Sequence, residues 1–138
     1  YIAEVLGNSD AAWRFAYHHQ SPYTTNTTHR SNTDIREHWV PQYEAYGVQA
    51  VLNGHNHTYE RSVPIKAGVE VAPGEGPVYV VSGGAGAPLY SNHEPDWFNV
   101  VANAIEHYMI IDVTATEAVF TAYDLSDNVI DTFTVPRP

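Results

Sequence analysis

Gly54-His55-Asn56-His57-Thr58-Tyr59-Glu60-Arg61 follows directly on a short apolar run, Val48 to Leu52, that reads as a buried strand ended by Asn53-Gly54. In extended backbone, residues i and i+2 project to the same side, so His55 and His57 are expected to face one cation or two adjacent ones. Neutral imidazole suits zinc, iron, manganese or cobalt. A His-x-His pair alone reads more readily as two polar loop residues, so its setting decides.

Upstream of that strand, Asn32-Thr33-Asp34 offers N-caps for a helix from about Ile35 to Tyr46. Ile35, Trp39, Tyr43 and Tyr46 are spaced for one buried face, Pro41 interrupts the run, and Gly47 stops it. Earlier still, Trp13 to His18 reads as an extended strand that delivers His18 and His19 to the Thr-, Asn- and Ser-rich loop Gln20 to Thr33. Tyr1 to Leu6 reads as the end of a helix capped by Gly7. Strand, helix and strand in this order make a βαβ-like unit in a parallel or mixed sheet, with binding loops at the C-terminal ends of the strands. Further strands are expected at Pro77 to Ser82, His107 to Val113, Ala118 to Tyr123 and Val129 to Val135, the last two joined as a hairpin at Asp127-Asn128.

Sixteen acidic against six basic residues give a net charge of −10, which disfavours nucleic acid and anionic membranes as partners. An anionic ligand such as a phosphate ester would need a local cation, and bound metal ions supply one. With no cysteine in the chain, any metal falls to His, Asp, Glu, Asn or Tyr. No apolar run approaches the ~20 residues of a membrane span. The composition suits one globular unit over residues 1–138, without repeat or linker.

The block Gly54 to Arg61 resembles the Gly-His-x-His-x-Tyr-Glu-Arg signature of purple acid phosphatases and related calcineurin-like metallophosphoesterases. Trp13, then five residues, then His19 with Pro22-Tyr23 resembles the same family's Trp-x5-His…Pro-x-Tyr or His…Pro-Pro-Tyr segment, and that resemblance singles out His19 over His18. Tyr46 to Leu52, Val78 to Gly86 and Val129-Ile130-Asp131 extend the likeness over almost the whole chain. The resemblance implies the C-terminal half of the catalytic domain: an α/β fold contributing one side of a two-sheet sandwich with flanking helices. It implies that His19 and His55 bind one metal and His57 its neighbour, two divalent or trivalent ions, iron with zinc, manganese or a second iron. It implies hydrolysis of a phosphate monoester, with His29, ten residues after His19, contacting phosphate or donating a proton; a solvated loop histidine is the equal alternative. A secreted or periplasmic location is implied by the resemblance alone.

The family's upstream Gly-Asp-x-Gly, Gly-Asp-x-x-Tyr and Gly-Asn-His-Asp/Glu motifs are absent from these residues, and Gly7-Asn8-Ser9-Asp10 reads as a turn rather than a remnant of the last. The expected partner is therefore the N-terminal half of the same domain, without which the chain is expected to be inactive. A non-catalytic metal-binding or structural fragment is one alternative; a phosphodiesterase or nucleotidase of the same fold is another. Gly83-Gly84-Ala85-Gly86 is expected to be a tight turn rather than a phosphate cradle. His38 and His93 are expected on the surface, His107 as a packed strand residue, and Tyr59, Glu60 and Arg61 as supports of the histidine loop.

Overall fold

Strand β1 (Phe15–His18) pairs in parallel with β2 (Ala50–Asn53), which brings His18 opposite Asn53. On the far side of β2 runs β5 (Val78–Ser82), also parallel, with Asn53 opposite Val81. Three loops, beginning at His19, Gly54 and Gly83, therefore leave the sheet at the same end, the C-terminal ends of parallel strands where α/β folds place their ligands. The computed structural model that gives this arrangement describes residues 1–137.

The remaining elements are α1 (Ile2–Gly7), α2 (Thr33–His38), α3 (Val40–Ala45), β3 (Tyr59–Lys66), β4 (Val69–Glu70), β6 (Asn99–Asn103), β7 (His107–Val113), β8 (Glu117–Asp124) and β9 (Val129–Pro136). The first sheet has the order β1-β2-β5-β3-β4, with β6 also paired to β3. β7, β8 and β9 form a second, antiparallel sheet. β1 is the marginal strand of the first sheet, and its Tyr17 is 85% exposed.

One helix was expected between the two histidine loops, and two form. Pro41 would clash with the carbonyl four residues back in a continuous helix, so the chain breaks at Trp39 and restarts with Pro41 in the first turn of α3. The restart changes the phase: Ile35, Val40 and Tyr43 are buried, whereas Trp39 and Tyr46 are not. The expected cap forms, with the Asn32 side chain accepting from the Ile35 amide at 2.9 Å.

Strict alternation along the strands builds two cores. Val51 and Tyr79 join Tyr23, Val40, Tyr43 and Phe98 on the helical face. Ala50, Val78 and Val80 join Ala118, Phe120, Ala122 and Val135 on the face covered by the second sheet. Phe120 sits edge-on to Phe15 and stacked on Phe133 at 4.6 Å, so the two sheets meet through aromatic rings. The chain thus supplies strands to both layers of a two-sheet stack, rather than one side of it.

Candidate metal centre

The segment between β2 and β3 is a succession of tight bends, not extended chain. The Asn56 amide bonds to the Gly54 carbonyl at 2.8 Å and the Thr58 amide to the Asn56 carbonyl at 2.9 Å, while His55 has φ of 68°. That left-handed conformation costs a non-glycine residue roughly 1–2 kcal/mol. Alternation is therefore not what orients the two histidines. Asn56 points inward, 1% exposed, and His55 and His57 lie to either side of it.

His55 turns toward β1. Its Nδ1 lies 2.9 Å from His19 Nε2, and its ring centroid is 3.9 Å from that of His29. The Gly54 amide bonds to the His19 carbonyl at 3.0 Å, which fixes the two turns against each other. Burial, then the neighbouring His29, His19 and His57, hold His55 below the usual histidine range and favour the neutral ring that a metal requires.

His57 turns toward the loop after β5. Its Nδ1 is 2.8 Å from the Pro88 carbonyl oxygen, which can only accept, so the neutral ring carries its proton there and leaves the Nε2 lone pair free. A ring held this way is the usual state of a metal-ligating histidine. The Tyr90 ring stacks on His57 at 4.3 Å with planes 17° apart, and the Tyr90 amide bonds to the His57 carbonyl at 2.9 Å. Tyr90 also approaches His29 edge-on, at 5.8 Å.

His18 stays outside this cluster: it packs edge-on to Trp39 and against Tyr43, and burial lowers its pKa. The structure therefore brings His19, His29 and His55 together, with His57 on the other side of Asn56 and within electrostatic reach of His55. Among the described residues, no three His, Asp or Glu side chains converge on one metal position. The donor set still fits an ion in part. Two imidazole nitrogens on one tetrahedral ion, each at ~2.0–2.1 Å, stand roughly 3.3 Å apart; the His19–His55 pair needs to open only a little.

Behind the rings is a buried polar frame. Asn56 Nδ2 donates to the His29 carbonyl at 2.8 Å and to Thr24 Oγ1 at 2.9 Å. Thr24 Oγ1 donates at 2.6 Å to Glu60, which also accepts from the Thr25 amide at 2.6 Å and the Thr25 hydroxyl at 2.8 Å. Glu60 is 2% exposed, so it acts as an anchor for the threonine-rich loop. Tyr59 and Arg61 both bind Asp131 on β9. All three side chains of the Tyr-Glu-Arg run face inward and bind protein groups.

His38 is exposed and His107 is buried, its ring 2.9 Å from the Ser82 hydroxyl, as expected. His93 is not on the surface: its side chain is 15% exposed and wedged between Thr25 and Thr58. The glycine turn is explained by crowding. A Cβ on Gly83 would run into the Asn56 carbonyl, and one on Gly84 into the Ile105 carbonyl. Tyr90 and Pro88 carry no motif, so no local pattern marked them.

No family model matches the chain. Purple acid phosphatase 18 of Arabidopsis thaliana is 27% identical over 122 residues, which is 84% of this chain and 28% of that protein. Probable inactive purple acid phosphatase 1 of the same plant is 33% identical over 72 residues, 45% of this chain and 12% of that protein. The structure of purple acid phosphatase PPD1 from yellow lupin (Lupinus luteus) seeds superposes with a TM-score of 0.90 at 21% identity, over 99% of this chain and 27% of the lupin chain. The chain is an α/β fold that matches part of the purple acid phosphatase fold. It resembles purple acid phosphatases in both sequence and structure, and it spans between about an eighth and somewhat over a quarter of these relatives' length.

Proposed function

We propose that this chain supplies the histidine side of a two-metal centre that hydrolyses phosphate monoesters in the complete protein. The observation that carries the reading is the His19–His55 contact at 2.9 Å, formed by two loops that leave neighbouring parallel strands. His19 and His55 would hold one ion through Nε2 and Nδ1, and His57, its Nδ1 committed to Pro88, would hold the other through Nε2. Iron paired with zinc, manganese or a second iron suits imidazole donors. Such ions, when bound, polarise a phosphoryl oxygen and lower the pKa of water.

The chain's own residues have separate tasks. His29, its ring 3.9 Å from that of His55 and tilted by 32°, contacts the ester and delivers a proton to the departing alcohol. Tyr90 covers the face of His57 and keeps water from it. Asn56 and Glu60 hold the two histidine turns at fixed spacing and do not react.

A non-catalytic reading is favoured by one observation, the 33% identity to a plant protein named as probably inactive. The two readings part on metal content and turnover of the complete protein with p-nitrophenyl phosphate. Catalysis by a binuclear site predicts about two metal ions per chain, and His55→Ala should lose metal and turnover together. A His55→Ala protein with wild-type metal content and rate would defeat the assignment.

A further inference from the structure

A cavity of about 260 Å³ borders His55. Pockets for drug-sized ligands run ~300–1,000 Å³, so this one suits a short molecule. Besides His55, every side chain that lines it is polar, whereas aliphatic and aromatic side chains are the usual lining of a ligand pocket.

The bonds these side chains already make decide what each can offer. Ser31 is committed: its Oγ accepts from the Thr24 amide at 3.0 Å and donates to the Thr24 carbonyl at 3.1 Å. Asn32 is committed too. Its Oδ1 accepts from the Ile35 amide, so Nδ2 is the atom that donates, and it does so to Gln20 Oε1 at 2.5 Å. That bond fixes the Gln20 amide and leaves its NH2 with hydrogens to give. Arg30 makes a single 3.4 Å contact with Glu94, and the two side chains are 73% and 68% exposed. Such a pair holds the guanidinium weakly, and most of its N–H groups have no partner. Asp34 meets His38 Nδ1 through its main-chain oxygen at 2.9 Å, and its carboxylate accepts from no protein donor among the described residues.

Donors on Gln20 and Arg30 and an acceptor on Asp34 therefore line one small space beside a proposed metal ligand. A hydroxyl both gives and takes a hydrogen bond, so it answers either kind. A second anionic group would meet the Asp34 charge, and an alkyl group would displace water from charged groups without replacing its hydrogen bonds. We propose that this cavity receives the alcohol part of the ester and selects short polyol phosphates, with Arg30, Asp34 and Gln20 as specificity-determining residues, a role that rests on the phosphate-ester hydrolysis proposed above. Arg30 and Asp34 lie outside the blocks of sequence that carry the family resemblance, so this selectivity would belong to the chain itself.

The test compares glycerol 3-phosphate with n-propyl phosphate, the same carbon chain without the hydroxyls, as substrates of the complete, metal-loaded protein. We expect the wild type to favour glycerol 3-phosphate in kcat/KM, and Arg30→Gln and Asp34→Asn each to lower that preference about fivefold, chiefly through KM. The preference is a ratio within one preparation, so neither a partly folded variant nor the intrinsic reactivity of the two esters alters the comparison between proteins. An unchanged ratio in both variants, or no preference in the wild type, overturns polyol selection. Preference for 3-phosphoglycerate over glycerol 3-phosphate also overturns it, since Arg30 would then be reading a carboxylate. In each of these cases hydrolysis of p-nitrophenyl phosphate by the wild type leaves the metal centre standing. A wild-type protein that hydrolyses none of these esters removes the reaction and the selectivity together.

Discussion

Arg61 grips Asp131 through two hydrogen bonds, Nε to Oδ2 at 2.6 Å and Nη2 to Oδ1 at 3.0 Å. The pair ties β3, which carries the chain out of the histidine loop, to β9 of the second sheet, and the Tyr59 hydroxyl adds a third bond to the same carboxylate at 2.8 Å. Both side chains are largely buried, and the guanidinium also lies over the Phe133 ring at 4.9 Å. Bidentate geometry of this kind is specific to arginine.

This pair sets an acid limit to stability. Burial alone would raise the Asp131 carboxyl; the hydrogen bonds from Arg61 and Tyr59 and the arginine charge outweigh it and hold the group below its ordinary value of 3.8. A depressed carboxylate contributes stability above its unfolded pKa and loses that contribution as pH falls through the folded one. Urea unfolding should therefore weaken from about pH 4 downward, and Asp131→Asn should show less of that loss. Asp131→Ala should cost about 3 kcal/mol near neutral pH, because it leaves Arg61 buried without a partner.

Tyr90 is predicted to matter through its ring and not its hydroxyl. It stacks on His57 at 4.3 Å, and no hydrogen bond of its hydroxyl enters the cluster among the described residues. Tyr90→Ala should lower the metal affinity of the complete protein about tenfold by letting His57 rotate. Tyr90→Phe should bind metal as the wild type does; equal losses in both variants would contradict a stacking role.

Two glycines in one turn should respond differently to the same added methyl. Gly83→Ala drives a Cβ into the Asn56 carbonyl oxygen, backbone against backbone, and should cost about 3 kcal/mol with a displaced histidine loop. Gly86→Ala meets open space but keeps a φ of 75°, so its cost should stay near 1–2 kcal/mol. Thermal unfolding of the two variants compares them directly.

The chain alone is expected to show no p-nitrophenyl phosphatase activity above background, with iron, zinc or manganese added. Three imidazoles shared between two ions leave each short of the four ligands that hold zinc tightly. Sustained turnover that co-purifies with the chain and disappears in His19→Ala would contradict this.

Much of the layout could be read from residue order. The order strand, helical stretch, strand and the C-terminal hairpin followed from apolar runs and turn residues, although the helical stretch divides at Trp39, whereas the choice of His19 over His18 rested on the resemblance to purple acid phosphatases. Three strands did not. β3 carries Glu60, Arg61, Ser62 and Pro64, whose polarity and missing amide hide a strand; Pro64 is tolerated at a break in register against β5. β4 has two residues, and β6 earns its pairing from β3 rather than from its own pattern. The histidine loop was misjudged in geometry because alternation describes extended chain, whereas hydrogen bonds to Asn56 fold this segment into bends. His93 was misplaced for another reason: its burial comes from pairing with Asn26, 67 positions earlier, and no local signal reports that.

The uncovered flank of Phe15–His18 has a meaning for assembly. Its outward main-chain groups offer a ready seat for a further strand, and Tyr17 stands there open to solvent. Whatever polypeptide stretch occupies that seat will also stiffen the launching point of His19, one residue beyond. Were such a stretch to pair there, the aim of this first imidazole would depend partly on its main chain, and strand addition and tuning of the ligand would be a single event.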